Sequence, residues 1–312
     1  MMDKVNVIFM GTPDFAVPVL KELIKNTNVL LVVTQPDKEI GRNHEVSFSP
    51  IKKVALENNI KVFQPVKIRT DYQEIINLKP DMIVTCAYGQ IIPEEILNLP
   101  RLGCINVHAS LLPKLRGGAP IHHAIIDGEK ETGITIMYMD KTMDTGDIIS
   151  QKSVVIEDSD NVGILHDKLS EMGAELLIQT LPSIINGTND RIKQNNDEAT
   201  YGYNISREDE HIDFNSSARN VFNKVRGLNP WPKAYTTISG EEIKIIECYI
   251  GDEDSHFSSG TVCEISKDKF GICTKDKVIY ITKVKPAGKR EMDILDYING
   301  LDKENVLNTI CE

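Results

Sequence analysis

Residues 103–149, GCINVHASLLPKLRGGAPIHHAIIDGEKETGITIMYMDKTMDTGDII, decide how the chain is read. Cys104 to Val107 is a short apolar run that reads as a strand, and Leu112-Pro113 breaks it. Residues two apart on a strand project from one face, so Asn106 and His108 point together at one small volume. Downstream, Asp144 stands between Met143 and Thr145-Gly146. An amide N–H can stabilise an oxyanion, an imidazole can move a proton near neutral pH, and a carboxylate can orient that imidazole. The three together suit acyl transfer without a covalent intermediate, provided the fold brings them to one place.

Working outward, the flanking sequence alternates strands and helices. Val5–Met10 reads as a first strand, and Gly11-Thr12-Pro13-Asp14 as the turn into a helix over Phe15–Lys25. That turn has one glycine where a dinucleotide fingerprint has three, so a nucleotide cofactor is not indicated. Val29–Thr34 reads as a second strand, followed by a loop over Gln35–Phe48 that holds Lys38 and Arg42. Loops of this length are usually functional. Ser49-Pro50 opens a helix, Lys61–Phe63 is a short strand, Thr70 is the expected cap of a helix through Leu78, and Met82–Ala87 is a fourth strand. These strands are apolar on both faces, which predicts a mostly parallel, Rossmann-like α/β sheet with its ligands at the carboxyl ends of the strands. Tyr88, His108 and Ser110 fall at such ends. Gly133–Met139 and Asp147–Val155 are two further strands. A long amphipathic helix follows over Asn161–Ile185, with Ile164, Leu165, Leu169, Met172, Leu176, Leu177 and Leu181 at helical spacing.

The polar run RIKQNNDEATYGYNIS lacks a period and reads as a linker. The expected division is therefore a catalytic domain over 1–189, a linker over 190–207 and a second domain over 208–312. In that last part a helix over Ser216–Arg226 precedes short, evenly spaced strands, the pattern of a small oligonucleotide-binding-like β-barrel. Lys267, Lys269, Lys275, Lys277, Lys283, Lys285, Lys289 and Arg290 form a local basic excess suited to phosphates, although the 312-residue chain carries a net charge of −11. The six cysteines show no paired spacing, so neither disulfides nor zinc are expected. His122 and His123 are adjacent on a helix, diverge, and cannot share a metal. The N-terminus lacks the basic and long apolar segments of a secretory signal, which makes a cytoplasmic location the expectation.

GTPDFAVPVL, QPDKEIGR, CAYGQIIP, INVHASLLPKLRGGAPI, ETGITIMYMDKTMDTGDII and NPWPKAY occur in this order, and with them the chain resembles the methionyl-tRNA formyltransferase family along nearly its whole length. The resemblance implies transfer of a formyl group from 10-formyltetrahydrofolate to the methionine amine of initiator Met-tRNA, with Asn106, His108 and Asp144 catalytic and no metal. It implies a folate slot at Tyr88, Gly89, Ile91 and Ile92 beside Ser110, Leu111, Leu112 and Pro113. It further implies tRNA contacts from Lys38 and Arg42, and from Lys267, Lys269, Lys283, Lys285, Lys289 and Arg290. The basic run expected after Arg42 is replaced by Asn43-His44-Glu45-Val46. A monomer is expected. Two rivals are a formyltransferase acting on a sugar-nucleotide or glycinamide amine, and an RNA-binding protein on a retired scaffold.

Overall fold

The structure, a computed structural model, describes residues 4–40 and 45–312. Its first sheet has seven strands: β1 (Asn6–Gly11), β2 (Asn28–Val33), β5 (Val62–Phe63), β6 (Met82–Cys86), β7 (Cys104–His108), β8 (Glu131–Tyr138) and β9 (Ile148–Val155), in the order β5-β2-β1-β6-β7-β8-β9. The first five strands in that order run parallel, β8 pairs antiparallel with β7, and β9 pairs antiparallel with β8. The mostly parallel sheet expected from the sequence is therefore present. Full burial of Val7, Ile8, Phe9, Ile83 and Val84 follows from helices covering both faces. The long loop after β2 holds a small hairpin of its own, β3 (Lys38–Ile40) against β4 (Glu45–Ser47).

The helices are α1 (Val17–Asn26), α2 (Pro50–Glu57), α3 (Gln73–Leu78), α4 (Glu94–Leu97), α5 (Pro120–Ile126) and α6 (Val162–Asn186). Ser49 caps α2 as expected, its hydroxyl accepting from Lys52 N at 3.1 Å. Thr70 does not cap α3: the helix starts three residues later from Tyr72, and the Thr70 hydroxyl instead donates to Lys67 O. On α6, Leu165, Leu169, Leu176, Leu177 and Leu181 are buried, whereas Ile164 is 44 % exposed. Gly173 lets α6 lie directly on the sheet, because a Cβ there would stand 2.9 Å from Val107 Cγ1.

Contacts divide the chain into two compact units that are not contiguous in sequence. One comprises residues 1–120, 131–155 and 166–203, and the other residues 121–130, 156–165 and 204–312. The second contains α7 (Ala218–Gly227) and the strands β10 (Tyr235–Ile238), β11 (Glu241–Asp254), β12 (Val262–Ile265), β13 (Phe270–Cys273), β14 (Lys277–Pro286) and β15 (Met292–Asp293). Two short helices end it, α8 (Ile294–Asn299) and α9 (Lys303–Val306). Its antiparallel sheet runs β10-β11-β14-β13-β12, with β15 on β14, around Ile243, Ile245, Phe270, Ile272 and Ile279. The last five residues join the two edges. Thr237 of β10 and Glu312 exchange backbone bonds of 2.7 and 2.9 Å, while Cys311 N reaches Gly260 O and Val262 N reaches Thr309 O. Edge strands left open would invite pairing with other chains, and this segment covers both. The result is a curled, oligonucleotide-binding-like sheet. No helix among the described residues is long and apolar enough to cross a membrane.

Candidate active site

Asn106 and His108 lie on β7 beside β6 and β8, with Thr85 opposite Asn106 and Thr135 opposite His108. The Thr85 hydroxyl donates to Asn106 Oδ1 at 2.8 Å. This commits the amide oxygen inward and leaves the amide N–H groups as the outward donors. Thr85 is the one polar residue in the run Met-Ile-Val-Thr-Cys, and that is a signal the sequence reading did not use.

His108 is 6 % exposed, and its Nε2 lies 3.1 Å from Leu115 O. A carbonyl only accepts, so Nε2 carries a proton and Nδ1 is the nitrogen left for chemistry. Asp144 Oδ1 stands 3.7 Å from Nδ1, close enough for charge attraction but beyond a hydrogen bond. The second oxygen of Asp144 accepts from Gly117 N at 2.9 Å. Asp144 adopts φ +55°, a left-handed conformation that aspartate tolerates better than most residues, and its turn is held from outside. The structure thus brings Asp144 to His108 and holds Asn106 two residues before His108 on the same strand, at the carboxyl end of β7.

The hold comes from a stretch the sequence analysis read as a linker. Gln194 Nε2 donates to both Asp144 O and Gly146 O at 2.8 Å, while its Oε1 accepts from Arg116 Nε at 3.1 Å and Nη2 at 2.8 Å. Backbone bonds pin the same stretch on both sides: Ile192 with Ile148, Thr200 O with Arg116 N, and Gly202 with Arg116 and Ala119. Residues 192–202 are therefore a bonded strap. Nothing in the local pattern of RIKQNNDEAT announces this, because the bonds that pin the strap go to residues far along the chain. Arg116 is 2 % exposed, and its described partners are amide oxygens of Gln194 and Asn196.

The expected folate residues separate into two groups. After β6, Ala87, Gly89 and Ile91 face outward, Ile91 being 64 % exposed, whereas the side chains of Tyr88 and Ile92 pack into the core with Ile8, Leu31 and Ile83. Burial pushes the Tyr88 phenol up to about 12. Only the Tyr88 carbonyl reaches the strand-end loops, where Thr12 and Gln35 donate to it. In the next loop, the Ser110 hydroxyl is buried against Lys114 O at 2.6 Å, and Leu112 packs on Met137 and Ile148. Leu111 and Pro113 are partly exposed, Pro113 following a cis bond. Thr135 braces this loop by donating to Ser110 O and accepting from Leu112 N.

Beside the Asp144 turn is a cavity of about 670 Å³ lined by Arg116, Asp140, Met143, Lys193, Gln194 and Tyr201, among others. That is within the roughly 300–1,000 Å³ usual for small-molecule sites, and none of the expected folate residues lines it. Burial pushes the Asp140 carboxyl up, but hydrogen bonds from Thr142 N and from the Thr142 and Thr145 hydroxyls outweigh it and hold the group below its ordinary value. Tyr201 and Tyr203 stack 5.6 Å apart and almost parallel.

The expected tRNA residues are spread over separate elements. Lys38 is exposed at the start of β3, and Arg42 lies outside the described residues. Lys267 and Lys269 occupy the β12–β13 hairpin, and Lys283, Lys285, Lys289 and Arg290 occupy β14 and its turn to β15. Lys269 Nζ sits 5.1 Å from the Tyr280 ring centre, and Lys283 is 3.9 Å from Glu247. The described residues include no cluster of three or more metal-ligating side chains.

Comparison with known proteins bears directly on this arrangement. The pattern described as formyl transferase matches residues 3–181, and that described as formyl transferase, C-terminal domain, matches residues 204–302. A methionyl-tRNA formyltransferase of Staphylococcus epidermidis is 52 % identical over 304 residues, covering 96 % of this chain and 97 % of its own. One from Staphylococcus aureus is 49 % identical with the same coverage. This chain belongs to the methionyl-tRNA formyltransferase family. It is a formyl-group transferase, as the motifs implied. Solved structures share the fold at lower identity. A sugar 3N-formyl transferase determined with dTDP and 5-N-formyl-THF superposes with a TM-score of 0.67 at 24 % identity, covering 92 % of this chain and 99 % of that one. HypX from Aquifex aeolicus in complex with tetrahydrofolic acid gives 0.63 at 16 % identity, covering 98 % of this chain and 49 % of that one.

Proposed function

We propose that this chain transfers a formyl group from 10-formyltetrahydrofolate to the methionine amine of initiator Met-tRNA, with Asn106, His108 and Asp144 as the catalytic residues. The observation that carries the site assignment is the convergence of three differently prepared groups: an amide turned outward by Thr85, an imidazole anchored through Nε2, and a carboxylate 3.7 Å from Nδ1. The folate substrate supplies a formyl carbon activated by its bond to nitrogen. As the amine adds to that carbon, negative charge builds on the formyl oxygen. Asn106 N–H and protonated His108 Nδ1 are the donors that receive it, and loss of one such donor costs about 3–4 kcal/mol of barrier. Asp144 attracts the protonated imidazole and accepts the proton lost by the amine. When the bond from the formyl carbon to the folate nitrogen breaks, that nitrogen takes the proton that Asp144 had accepted, so the products are neutral and the enzyme is restored.

The folate slot in this reading is the outward strip of Gly89 and Ile91 with Leu111 and Pro113, while Tyr88, Ile92, Ser110 and Leu112 build its floor. An apolar strip flanked by exposed backbone suits a flat heterocycle with donors and acceptors on its edge. Binding of tRNA falls to Lys38 and Arg42 and to the basic hairpins of the second unit, which supply cationic charge on a chain of net charge −11. The protein acts as a monomer in the cytoplasm. The test is a transfer assay with 10-formyltetrahydrofolate and charged initiator tRNA, read as formyl-methionine released from the tRNA. Formylation of a sugar-nucleotide or glycinamide amine in preference to Met-tRNA would reject the acceptor assigned here.

A further inference from the structure

We infer that Gln194 is a positioning residue for catalysis, holding Asp144 against His108 from the strap. The inference rests on the catalytic reading of Asp144. Asp144 and Gly146 bracket a tight turn: Asp144 has φ +55°, and a Cβ on Gly146 would lie 1.9 Å from Tyr138 O. Such a turn keeps its shape only while its outward carbonyls are satisfied. One side chain satisfies two of them, since Gln194 Nε2 bonds Asp144 O and Gly146 O at 2.8 Å each.

The other end of the same amide explains why it stays in place. Its oxygen takes two bonds from Arg116, which is 2 % exposed, and the neighbouring Gly117 N bonds Asp144 Oδ2 at 2.9 Å. Backbone and carboxylate of Asp144 are thus gripped from one short segment, the backbone through Gln194 and the carboxylate through Gly117. The gap of 3.7 Å between Asp144 and His108 has no hydrogen bond of its own to maintain it, so it depends on this grip. An amide suits this place, because it donates to both carbonyls at one end and accepts from a guanidinium at the other.

Gln194→Glu separates the two ends. The carboxylate still accepts from Arg116, so the strap stays attached, but both donors to the turn are gone. Gln194→Met, similar in length, removes both ends without adding charge. With saturating substrates, both variants should lose about tenfold to a hundredfold in kcat, the usual cost of misplacing a catalytic group by about an ångström, with KM for folate and Met-tRNA within about threefold. Because Gln194 acts through Asp144, Gln194→Glu added to Asp144→Ala should lower kcat no further, a non-additivity that a merely structural residue would not show. Unchanged kcat in folded Gln194→Glu or Gln194→Met, or losses that add to that of Asp144→Ala, would overturn the inference. If Asp144→Ala itself keeps kcat, the catalytic reading of Asp144 fails, and this inference with it.

Discussion

Each polar residue at the end of β7 is fixed by a partner outside that strand. The oxygen of Asn106 is taken by Thr85 and Nε2 of His108 faces Leu115 O, so one donor face of each is left for the reaction. Asn106→Ala and His108→Ala should each lower kcat by about 10² or more in protein that still folds, since each removes an oxyanion donor. Near-normal turnover in a folded variant would count against the mechanism. Thr85→Val, nearly the same shape, frees Asn106 to turn its oxygen outward. It should cost about 1 kcal/mol of stability and a measurable part of kcat, and activity equal to the parent would show that the amide needs no orientation. Which residues carry polar chemistry was legible because period-two spacing on a strand is a strict rule. How Tyr88 would point was not. An aromatic side chain at a strand end reads equally as slot or floor, and the left-handed Ala87 before it, φ +49°, turns the chain so that Tyr88 and Ile92 go down into the core.

Among the elements, long apolar strands and capped helices were legible, and pieces defined by distant bonds were not. α8 and α9 are only six and four residues long, too short for a periodic signal. The strap over 192–202 is polar because its partners are backbone groups and Arg116, not a core. A similar distant bond starts α7, where Ser217 caps through Asn220 N and Asp276, from the turn between β13 and β14, accepts from Ala218 N at 2.7 Å. The Ala218 backbone N–H is the main cause that lowers the Asp276 carboxyl below its ordinary value of 3.8, helped by Thr274 and by Lys277 N. Since the folded value lies below the unfolded one, this contribution to stability is complete above the ordinary value and is lost as pH falls from about 3.8 through the folded value. Asp276→Asn should therefore lower the melting temperature at pH 7 and shrink the difference between parent and variant as the pH falls below 4. A difference that persists undiminished at acid pH would remove Asp276 from the account.

At the scale of the whole molecule, the α/β character of one half and the β-rich character of the other followed from apolar patterning, but the partition of the chain could not. A reading along the sequence yields contiguous domains, whereas residues 121–130 and 156–165 pack with residues 204–312. Those interactions are specific. Gly227 leaves no room for a Cβ against Ile126, whose Cγ1 would be 2.7 Å away, and Gly163 is as tight against Pro230. Arg226 donates to Glu157 O and Asp160 O at 2.7 and 3.0 Å, and His122 meets Trp231 edge to face. A chain ended at residue 203 would keep Ile125 and Ile126 while losing α7, whose Gly227 packs against them, and the Asn229-Pro230-Trp231 segment that meets His122 and Gly163. Burying an apolar side chain is worth about 1.5–3 kcal/mol, and several such side chains would be returned to water together. That truncated chain should melt at least several degrees below the full chain, bind a fluorescent hydrophobic dye and associate with itself, despite retaining every residue of the seven-stranded sheet. Equal melting temperature and a monodisperse profile would mean that the packing of residues 121–130 and 156–165 with residues 204–312 contributes nothing to the stability of the chain.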